Sequence, residues 1–177
     1  MVIGLVRHFR VNCDAKFFMS ASEFEEWVER YEQSDVLEQK HDPVNIIWDK
    51  CYSSDLKRAI ITSKRIFTEE IIRSSLLREV PLTPIFKTKL KFPYAFWCVM
   101  GRMAWFFQHK SQEEVRRDTQ RRVIKFLDSI DHQSSSNILI VCHGFLMNTM
   151  QKELKKRGYK GQHIRRPENG QIYLYKK

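Results

Sequence analysis

Residues 2–8, VIGLVRH, and residues 137–144, NILIVCHG, decide the fold of this chain. Each stretch is a run of apolar residues, many of them β-branched, that meets a histidine, His8 in the first and His143 in the second. Such runs predict short buried strands at residues 2–6 and 137–142, with polar residues at their carboxyl ends. Because open α/β sheets bind ligands at the carboxyl ends of their strands, the two histidines are expected to meet at one edge of a sheet.

Further helices and strands are predicted to alternate between these two strands and after the second one. Phe24, Trp27 and Tyr31 recur at helical spacing after a possible cap at residues 20–22, and residues 53–55 form a second candidate cap. Strands are predicted at residues 44–48 and 171–175, and a short strand or extended piece at residues 76–80. Helices are predicted at residues 20–33, from residue 56, at 111–130 and at 145–157. This alternation predicts an α/β fold, a three-layer sandwich whose mostly parallel sheet is flanked by helices, formed by one domain of residues 1–177.

The composition is that of an ordinary globular protein. The chain has 177 residues, of which 42% are hydrophobic and 29% charged, so disorder of the whole chain is excluded. The four cysteines are Cys13, Cys51, Cys98 and Cys142, and none of them forms a CxxC pair. A disulfide scaffold and a zinc ribbon are therefore not expected, and the scattered thiols favour a cytoplasmic location.

The net charge of +10 restricts the class of partner. A basic tail fits nucleic acid, an anionic surface or a small anionic substrate. No RNA-binding signature or zinc finger accompanies the charge, and Lys152, Lys155 and Lys156 are typical of a solvated helix face. No nucleic-acid partner is therefore expected.

Residues 92–107, FPYAFWCVMGRMAWFF, are almost wholly apolar. The segment has 16 residues, fewer than the roughly 20 that a helix needs to cross a bilayer, and Pro93, Gly101 and Arg102 interrupt it. We expect no membrane span, and interpret the segment as a buried or lid-like aromatic element. A membrane-surface role is the alternative, and the segment could also form the face of a homodimer.

The residues suited to chemistry lie at the ends of strands and the starts of helices. Residues 53–59, SSDLKRA, place Arg58 in the first turn of a helix, and Arg7 directly precedes His8. Arginine forks and helix N-termini are natural partners of phosphate oxygens. A neutral imidazole, such as that of His8, is in this setting a nucleophile that accepts a phosphoryl group.

Four motifs give the chain its family resemblance. They are LVRH at 5–8, SSDLKRA at 53–59, LLREV at 76–80 and VCHG at 141–144, and each alone is weak. In this order and spacing the chain resembles the histidine phosphatase superfamily, also called phosphoglycerate mutase-like, in its short phosphatase-type branch. The resemblance extends over most of the chain, from residue 2 to about residue 175.

The resemblance implies hydrolysis of a small phosphate monoester through a phosphohistidine. His8 would be the nucleophile, and Glu79 would protonate the leaving group and then deprotonate the attacking water. The phosphate would be held by Arg7, His8, Arg58, His143 and Gly144. No metal or cofactor is implied, because the arginines supply the positive charge that stabilises the transition state.

Two kinds of alternative stay open. Glu79 could pair only with Arg78, and Asp55 is interpreted as a helix cap in preference to a catalyst. The function could also be mutase-type phosphoryl transfer, or ligand sensing without catalysis on the same fold. Since only 63 residues separate Glu79 from His143 and a long helix uses about 20 of them, little chain is left for a lid, which favours hydrolysis.

The chain departs from the family pattern beside the first histidine. Phe9 stands where the family usually has glycine, and Arg10 and Val11 follow where it has an acidic residue and threonine. No Trp-Glu-Gly segment follows Glu79, so the wall of the pocket must be built differently. Phe9 and Phe145 are expected to flank the histidines and form a narrow apolar mouth, which suggests an apolar or planar group beside the substrate phosphate.

Overall fold

A six-stranded sheet organises the chain in a computed structural model that describes residues 1–38, 44–131 and 136–177. The strands, including a separate two-stranded pair, are β1 (Val2–Arg7), β2 (Phe18–Met19), β3 (Lys50–Ser54), β4 (Ile71–Ser74), β5 (Phe92–Pro93), β6 (Ile138–Cys142), β7 (Lys160–Gly161) and β8 (Ile172–Lys176). The helices are α1 (Ala21–Gln33), α2 (Lys57–Ile66), α3 (Tyr94–Phe106), α4 (Arg116–Asp131) and α5 (Gly144–Lys156).

The order of strands in the main sheet is β4-β3-β6-β1-β8-β7. The first four strands of this order run parallel, while β8 is antiparallel to β1 and β7 antiparallel to β8. In the central pair Ile3 lies opposite Ile138 and Arg7 opposite Cys142. The carboxyl ends of β1, β6 and β3 therefore lie at one edge of the sheet.

Helices cover both faces of the sheet, which confirms the predicted three-layer α/β sandwich. Alternate residues of β6 point to opposite faces, because successive side chains of a strand do so. Ile138 and Ile140 belong to the core that α4 and α5 complete. Leu139 and Val141 belong to the core on the other face, to which α2 contributes Ala59.

The predicted aromatic segment at 92–107 consists of β5 and α3, and it packs on α1. Ser20 caps α1 by accepting a hydrogen bond from the backbone N–H of Glu23, whose carboxylate accepts one from the Ser20 N–H in return. Phe24 of α1 and Trp97 of α3 are fully buried in a core of their own. Within the described residues, no helix combines the length and the apolar character that a membrane crossing requires.

The predictions for the elements with the strongest patterns are confirmed. The strand at 2–6, the strand at 137–142 and the helix at 20–33 are observed as β1, β6 and α1 within one residue at each end. The helix at 145–157 is observed as α5, and Gly158 follows it with φ +85° in the left-handed region. The strand at 171–175 is observed as β8, shifted by one residue.

The predicted strand at 44–48 is wrong. The chain turns there, with a hydrogen bond from Ile46 N to Val44 O, and the side chain of Ile47 is 86% exposed. Trp48 packs its ring against the backbone of Gly4, which has no Cβ that would meet it. Trp48 thus packs onto the sheet without forming a strand, and the neighbouring strand β3 begins later, at Lys50.

Three further boundaries differ from the predictions. Ser53 and Ser54 end β3, and Leu56 precedes α2 without a side-chain cap. Residues 76–80 are not a strand, because β4 ends at Ser74 and a 3-10 turn follows at Ser75–Leu77. Helix α4 begins at Arg116 instead of residue 111, since the side chain of Gln112 bonds the backbone of Thr83 through both its amide oxygen and nitrogen.

Replacement of Gly158 by alanine isolates the cost of the backbone conformation that ends α5. A Cβ there would meet nothing within 4 Å, so only the left-handed φ opposes the change. We expect Gly158→Ala to lower the free energy of unfolding by about 1 kcal/mol, measured by chemical denaturation. Lys156→Ala, two residues earlier and at the last position of α5, is the control and should change stability by less than this. Equal stability of Gly158→Ala and the parent protein would contradict the assignment.

Candidate active site

The carboxyl ends of β1 and β6 bring the two histidines together. His8 donates its backbone N–H to the carbonyl of Cys142, 3.0 Å away, which continues the pairing of β1 with β6 by one residue. The ring centres of His8 and His143 lie 5.1 Å apart. Arg58, in the first turn of α2 after β3, reaches the same place and donates from Nε to Nδ1 of His143 over 3.3 Å.

The imidazole of His8 is neutral and fixed in one tautomer. Its Nδ1 lies 2.7 Å from the carbonyl oxygen of Phe9, and since a carbonyl only accepts, Nδ1 carries the proton. The lone pair is therefore on Nε2. Burial, followed by the positive charge of Arg58, lowers the pKa of His8 to about 3. The ring consequently presents an unprotonated Nε2 at neutral pH, which is the form required of a nucleophile.

His143 is held in the opposite tautomer. Its Nδ1 accepts the hydrogen bond from Arg58, so Nε2 carries the proton and donates it to Oγ of Ser54, 2.9 Å away. Burial lowers the pKa of His143 well below its usual value, and the ring is neutral as well. Ser54, which the sequence pattern placed in a helix cap, thus orients the second histidine.

The two arginines of the site have unused donors. In the part of the chain that the structure describes, Nη1 of Arg58 and Nε of Arg7 are buried and have no hydrogen-bond partner. Other atoms of both groups are fixed, because Arg7 donates from Nη1 to the carbonyl of Pro167 and Arg58 lies 5.2 Å from the ring centre of Tyr31. Buried donors without partners are costly, and two of them on cations side by side indicate a place for an anion.

Gly144 allows Arg7 to approach the start of α5. A Cβ at this position would lie 3.0 Å from Nε of Arg7, which is the atom without a partner. A larger residue would push the guanidinium away from the two histidines. The glycine after His143 is therefore required by close approach to Arg7, and not by its own backbone angle.

Glu79 lies at the N-terminus of α5 and does not pair with Arg78. One carboxylate oxygen accepts the backbone N–H of Phe145 at 3.1 Å, and the other accepts those of Leu146 and Val80 at 3.0 Å. This carboxylate caps the helix that follows His143 and complements its dipole. The alternative in which Glu79 pairs only with Arg78 is wrong.

Arg78 instead binds Asp55 through two hydrogen bonds of 2.7 Å. These bonds to Arg78 hold the pKa of Asp55 below its usual value, so this carboxyl group stays ionised. Asp55 is therefore an ion-pair partner and not a helix cap, which corrects the expectation from the sequence.

A cavity of about 550 Å³ opens above these groups. Arg7, Arg58 and Glu79 line it, while His8 and His143 are 2% and 0% exposed. The remaining walls come from α1, α3 and residues 80–83. His, Cys, Asp and Glu side chains among the described residues form no group of three suited to a metal ion.

The expected mouth of two phenylalanines is wrong, because neither ring lines this cavity. Phe9 is fully buried away from the cavity, in a core with Val11 and Val36. Its backbone N–H donates to Oγ1 of Thr62, 2.8 Å away. Phe145 lies under the guanidinium of Arg102, whose carbon is 3.8 Å from the ring centre. A phenylalanine is thus accommodated after the first histidine because α2 provides it with a hydrophobic core.

Several residues of the site were missed by the sequence analysis. Asn169 donates from Nδ2 to the carbonyl of His8 at 2.6 Å, and Thr62 donates to the carbonyl of Arg58 at 2.7 Å. Tyr31 and Arg102 line the cavity. The interruption of the apolar segment at Arg102 and the position of Ser54 beside Asp55 were signals of a polar role, whereas nothing in the sequence pointed to Asn169 or Thr62.

The sequence matches a family model described as "Histidine phosphatase superfamily (branch 1)" over residues 31–176. The matched range begins downstream of Arg7 and His8. None of the curated proteins compared matches the sequence.

Solved structures with the same fold are numerous, and all those described here have low sequence identity to the chain. The alpha-ribazole phosphatase from Shigella flexneri is 16% identical, with 98% of this chain and 89% of that chain covered and a TM-score of 0.59. Phosphoglycerate mutase from Bacillus anthracis is 17% identical, with coverages of 98% and 86% and a TM-score of 0.59. A mycobacterial glucosyl-3-phosphoglycerate phosphatase is 16% identical, with coverages of 88% and 79% and a TM-score of 0.54.

The burial of neutral His8 makes stability depend on pH in a defined direction. Because its pKa is about 3 in the folded protein and 6.5 ordinarily, only the unfolded chain takes up this proton between these values. Folding stability is therefore complete above pH 6.5 and falls as the pH decreases, by about 1.4 kcal/mol per pH unit for this one group. His143 acts in the same direction.

Replacement of His8 by glutamine tests this dependence. We expect the free energy of unfolding of His8→Gln, measured by denaturant titration between pH 4 and 7, to change less steeply with pH than that of the parent protein, by about 1.4 kcal/mol per pH unit. His163→Gln, at an exposed position, is the matched control and should keep the parent slope. Identical slopes for His8→Gln and the parent would show that His8 is not buried in its neutral form.

Proposed function

The chain belongs to the histidine phosphatase superfamily, and from that premise we propose that it hydrolyses a small phosphate monoester through a phosphohistidine at His8. The observation that carries the proposal is the neutral, tautomerically fixed His8, whose pKa both Arg7 and Arg58 affect, together with a buried donor atom on each arginine that has no partner. This combination provides a nucleophile and an anion site at the same place, and it does not depend on a metal ion.

In the first step, Nε2 of His8 attacks phosphorus and the bond from phosphorus to the ester oxygen breaks. Arg7 and Arg58 hold the non-bridging oxygens, whose charge they stabilise in the transition state. His143 fixes Arg58 through Nδ1 and, by turning its Nε2 proton from Ser54 to the phosphate, completes the phosphate site together with the start of α5 at Gly144. The leaving oxygen takes a proton from Glu79.

In the second step, water attacks the phosphorus of the phosphohistidine and gives a proton to the Glu79 carboxylate. The bond between phosphorus and Nε2 breaks, inorganic phosphate leaves, and the neutral imidazole of His8 is restored. Glu79 lines the cavity with Arg7 and Arg58, and its backbone contacts hold the carboxylate in place during both transfers. Each proton taken from Glu79 in the first step is thus returned in the second.

A phosphate-binding module without catalysis is the second candidate. It is favoured by one observation, that three backbone N–H groups already occupy the carboxylate of Glu79. In that case Glu79 only caps α5, and the site binds phosphate compounds without turnover.

Removal of the nucleophile tests the proposed intermediate. We expect His8→Ala to lose hydrolysis of p-nitrophenyl phosphate by several orders of magnitude, while His163→Ala retains it. Labelled substrate should leave an acid-labile phosphoenzyme in the parent protein, as a bond between phosphorus and nitrogen requires, and none in His8→Ala. Activity should survive EDTA. A phosphoserine or an aspartyl phosphate, or a loss in EDTA that Mg²⁺ restores, would overturn the mechanism.

Replacement of Glu79 by glutamine separates proton transfer from helix capping. If Glu79 is the proton donor, its replacement should lower kcat/KM for an alkyl phosphate by a factor of about 10²–10⁴. The loss should be much smaller for p-nitrophenyl phosphate, because its leaving group needs little protonation. A comparison of the two substrates within the one variant cancels any loss of structure. An equal loss for both would limit Glu79 to capping α5, and would favour the binding module.

A further inference from the structure

The cavity above the two arginines has an aromatic wall formed by Trp27, Tyr31 and Tyr94. All three side chains line the cavity together with Arg7 and Arg58. The ring centres of Trp27 and Tyr94 are 4.8 Å apart in an edge-to-face arrangement, and those of Trp27 and Tyr31 are 5.2 Å apart. The three rings therefore form one continuous surface that joins α1 to α3.

Tyr31 links this aromatic wall to the phosphate site. The guanidinium carbon of Arg58 lies 5.2 Å from the centre of the Tyr31 ring, so the wall begins beside a group that holds phosphate oxygens. Burial raises the pKa of Tyr31, and the ring stays a neutral phenol. Whatever is attached to a phosphate bound by Arg58 consequently meets aromatic surface within the same cavity.

The aromatic wall is rigid before any ligand binds. Nε1 of Trp27 donates to the carbonyl of Asp14 at 3.2 Å, and Phe24 and Trp97 support the wall from the core between α1 and α3. The segment after Glu79 adds Val80 and Leu82 to the same cavity. A preformed apolar surface loses little entropy on binding, which favours rigid guests.

We propose that the ester hydrolysed at this site carries a planar aromatic group close to its phosphate. The inference rests on the phosphatase function proposed above and names its substrate class. Aromatic rings gain from edge-to-face and offset contacts with one another beyond the burial of their area, by a factor of about 2 to 10 in affinity. A saturated ring of similar size buries its area in the cavity without this gain.

Two esters with the same carbon skeleton, one carrying a planar and one a saturated ring, test the proposal. They are 2-phenylethyl phosphate and 2-cyclohexylethyl phosphate, which have the same number of carbon atoms and primary alkoxide leaving groups of nearly equal basicity. We expect kcat/KM to favour the phenyl ester by about 2- to 10-fold in the parent protein. Tyr94→Leu should reduce this ratio towards 1, because leucine keeps apolar area and removes the ring.

Phe106→Leu is the matched control, since it makes the same replacement on the outer, exposed face of the same helix. It should keep the ratio of the parent protein. A ratio of 1 or less in the parent protein, or an unchanged ratio in Tyr94→Leu, would overturn the inference.

Failure of the inference and failure of the proposed function give different results. Hydrolysis of p-nitrophenyl phosphate that depends on His8, without preference between the two esters, would leave the phosphatase and remove the aromatic substrate class. If no ester is hydrolysed, the proposed function is wrong. In that case, calorimetry measures the affinity of the protein for each of the two esters. Tighter binding of the phenyl ester would support the aromatic preference, and equal affinities would overturn it as well.

Discussion

The parallel pairing of β1 with β6 is the constraint on which the site depends. Its register places Arg7 opposite Cys142, so the residues that follow the strands, His8 and His143, come into contact. A shift by one residue would turn the side chains of one strand to the other face of the sheet and separate the two rings. The register is fixed by cores on both faces, where Ile3, Leu5 and Ile140 pack against α4 and α5, while Val6 and Val141 pack against α2.

These cores also stabilise the groups that the site leaves unfavourably placed. Two neutral imidazoles and two arginine donors are held out of water, and each buried donor without a partner costs about 1–3 kcal/mol. An anion that binds Arg7 and Arg58 satisfies those donors. The phosphate affinity that we propose therefore depends on the fold, which buries these donor atoms and holds Arg7 through the carbonyl of Pro167 and Arg58 through His143.

Patterns that act along one element were predicted from the sequence, and those that depend on a neighbour were not. The apolar runs of β1 and β6 and the Ser20 cap of α1 are complete in themselves, and they were predicted to within one residue. In contrast, β3 ends in buried serines, which are tolerated only because Ser54 binds His143 and Ser53 binds its own chain. The apolar run at residues 44–48 was also mispredicted because of a neighbour. It forms a turn instead of a strand, and the ring of Trp48 packs over Gly4 of β1.

The same distinction applies to the site. The motifs indicated that Arg7, His8, Arg58 and His143 lie together, and the structure brings them together. Thr62 and Asn169 could not be recognised, because the hydrogen bonds that tie them to Phe9 and His8 join residues 53 and 161 positions apart. Phe9 was placed at the mouth because its neighbour is His8, although its ring turns into a core that only the packed helix α2 provides.

The pairing of β1 with β6 and β8 has one more consequence, for biosynthesis. Both neighbours of β1 are encoded more than 130 residues after it, so on the ribosome this apolar strand emerges long before its partners. Contacts between residues so far apart in sequence form slowly. A nascent chain that ends before β6 therefore exposes β1 as an aggregation-prone apolar segment of the kind that chaperones bind.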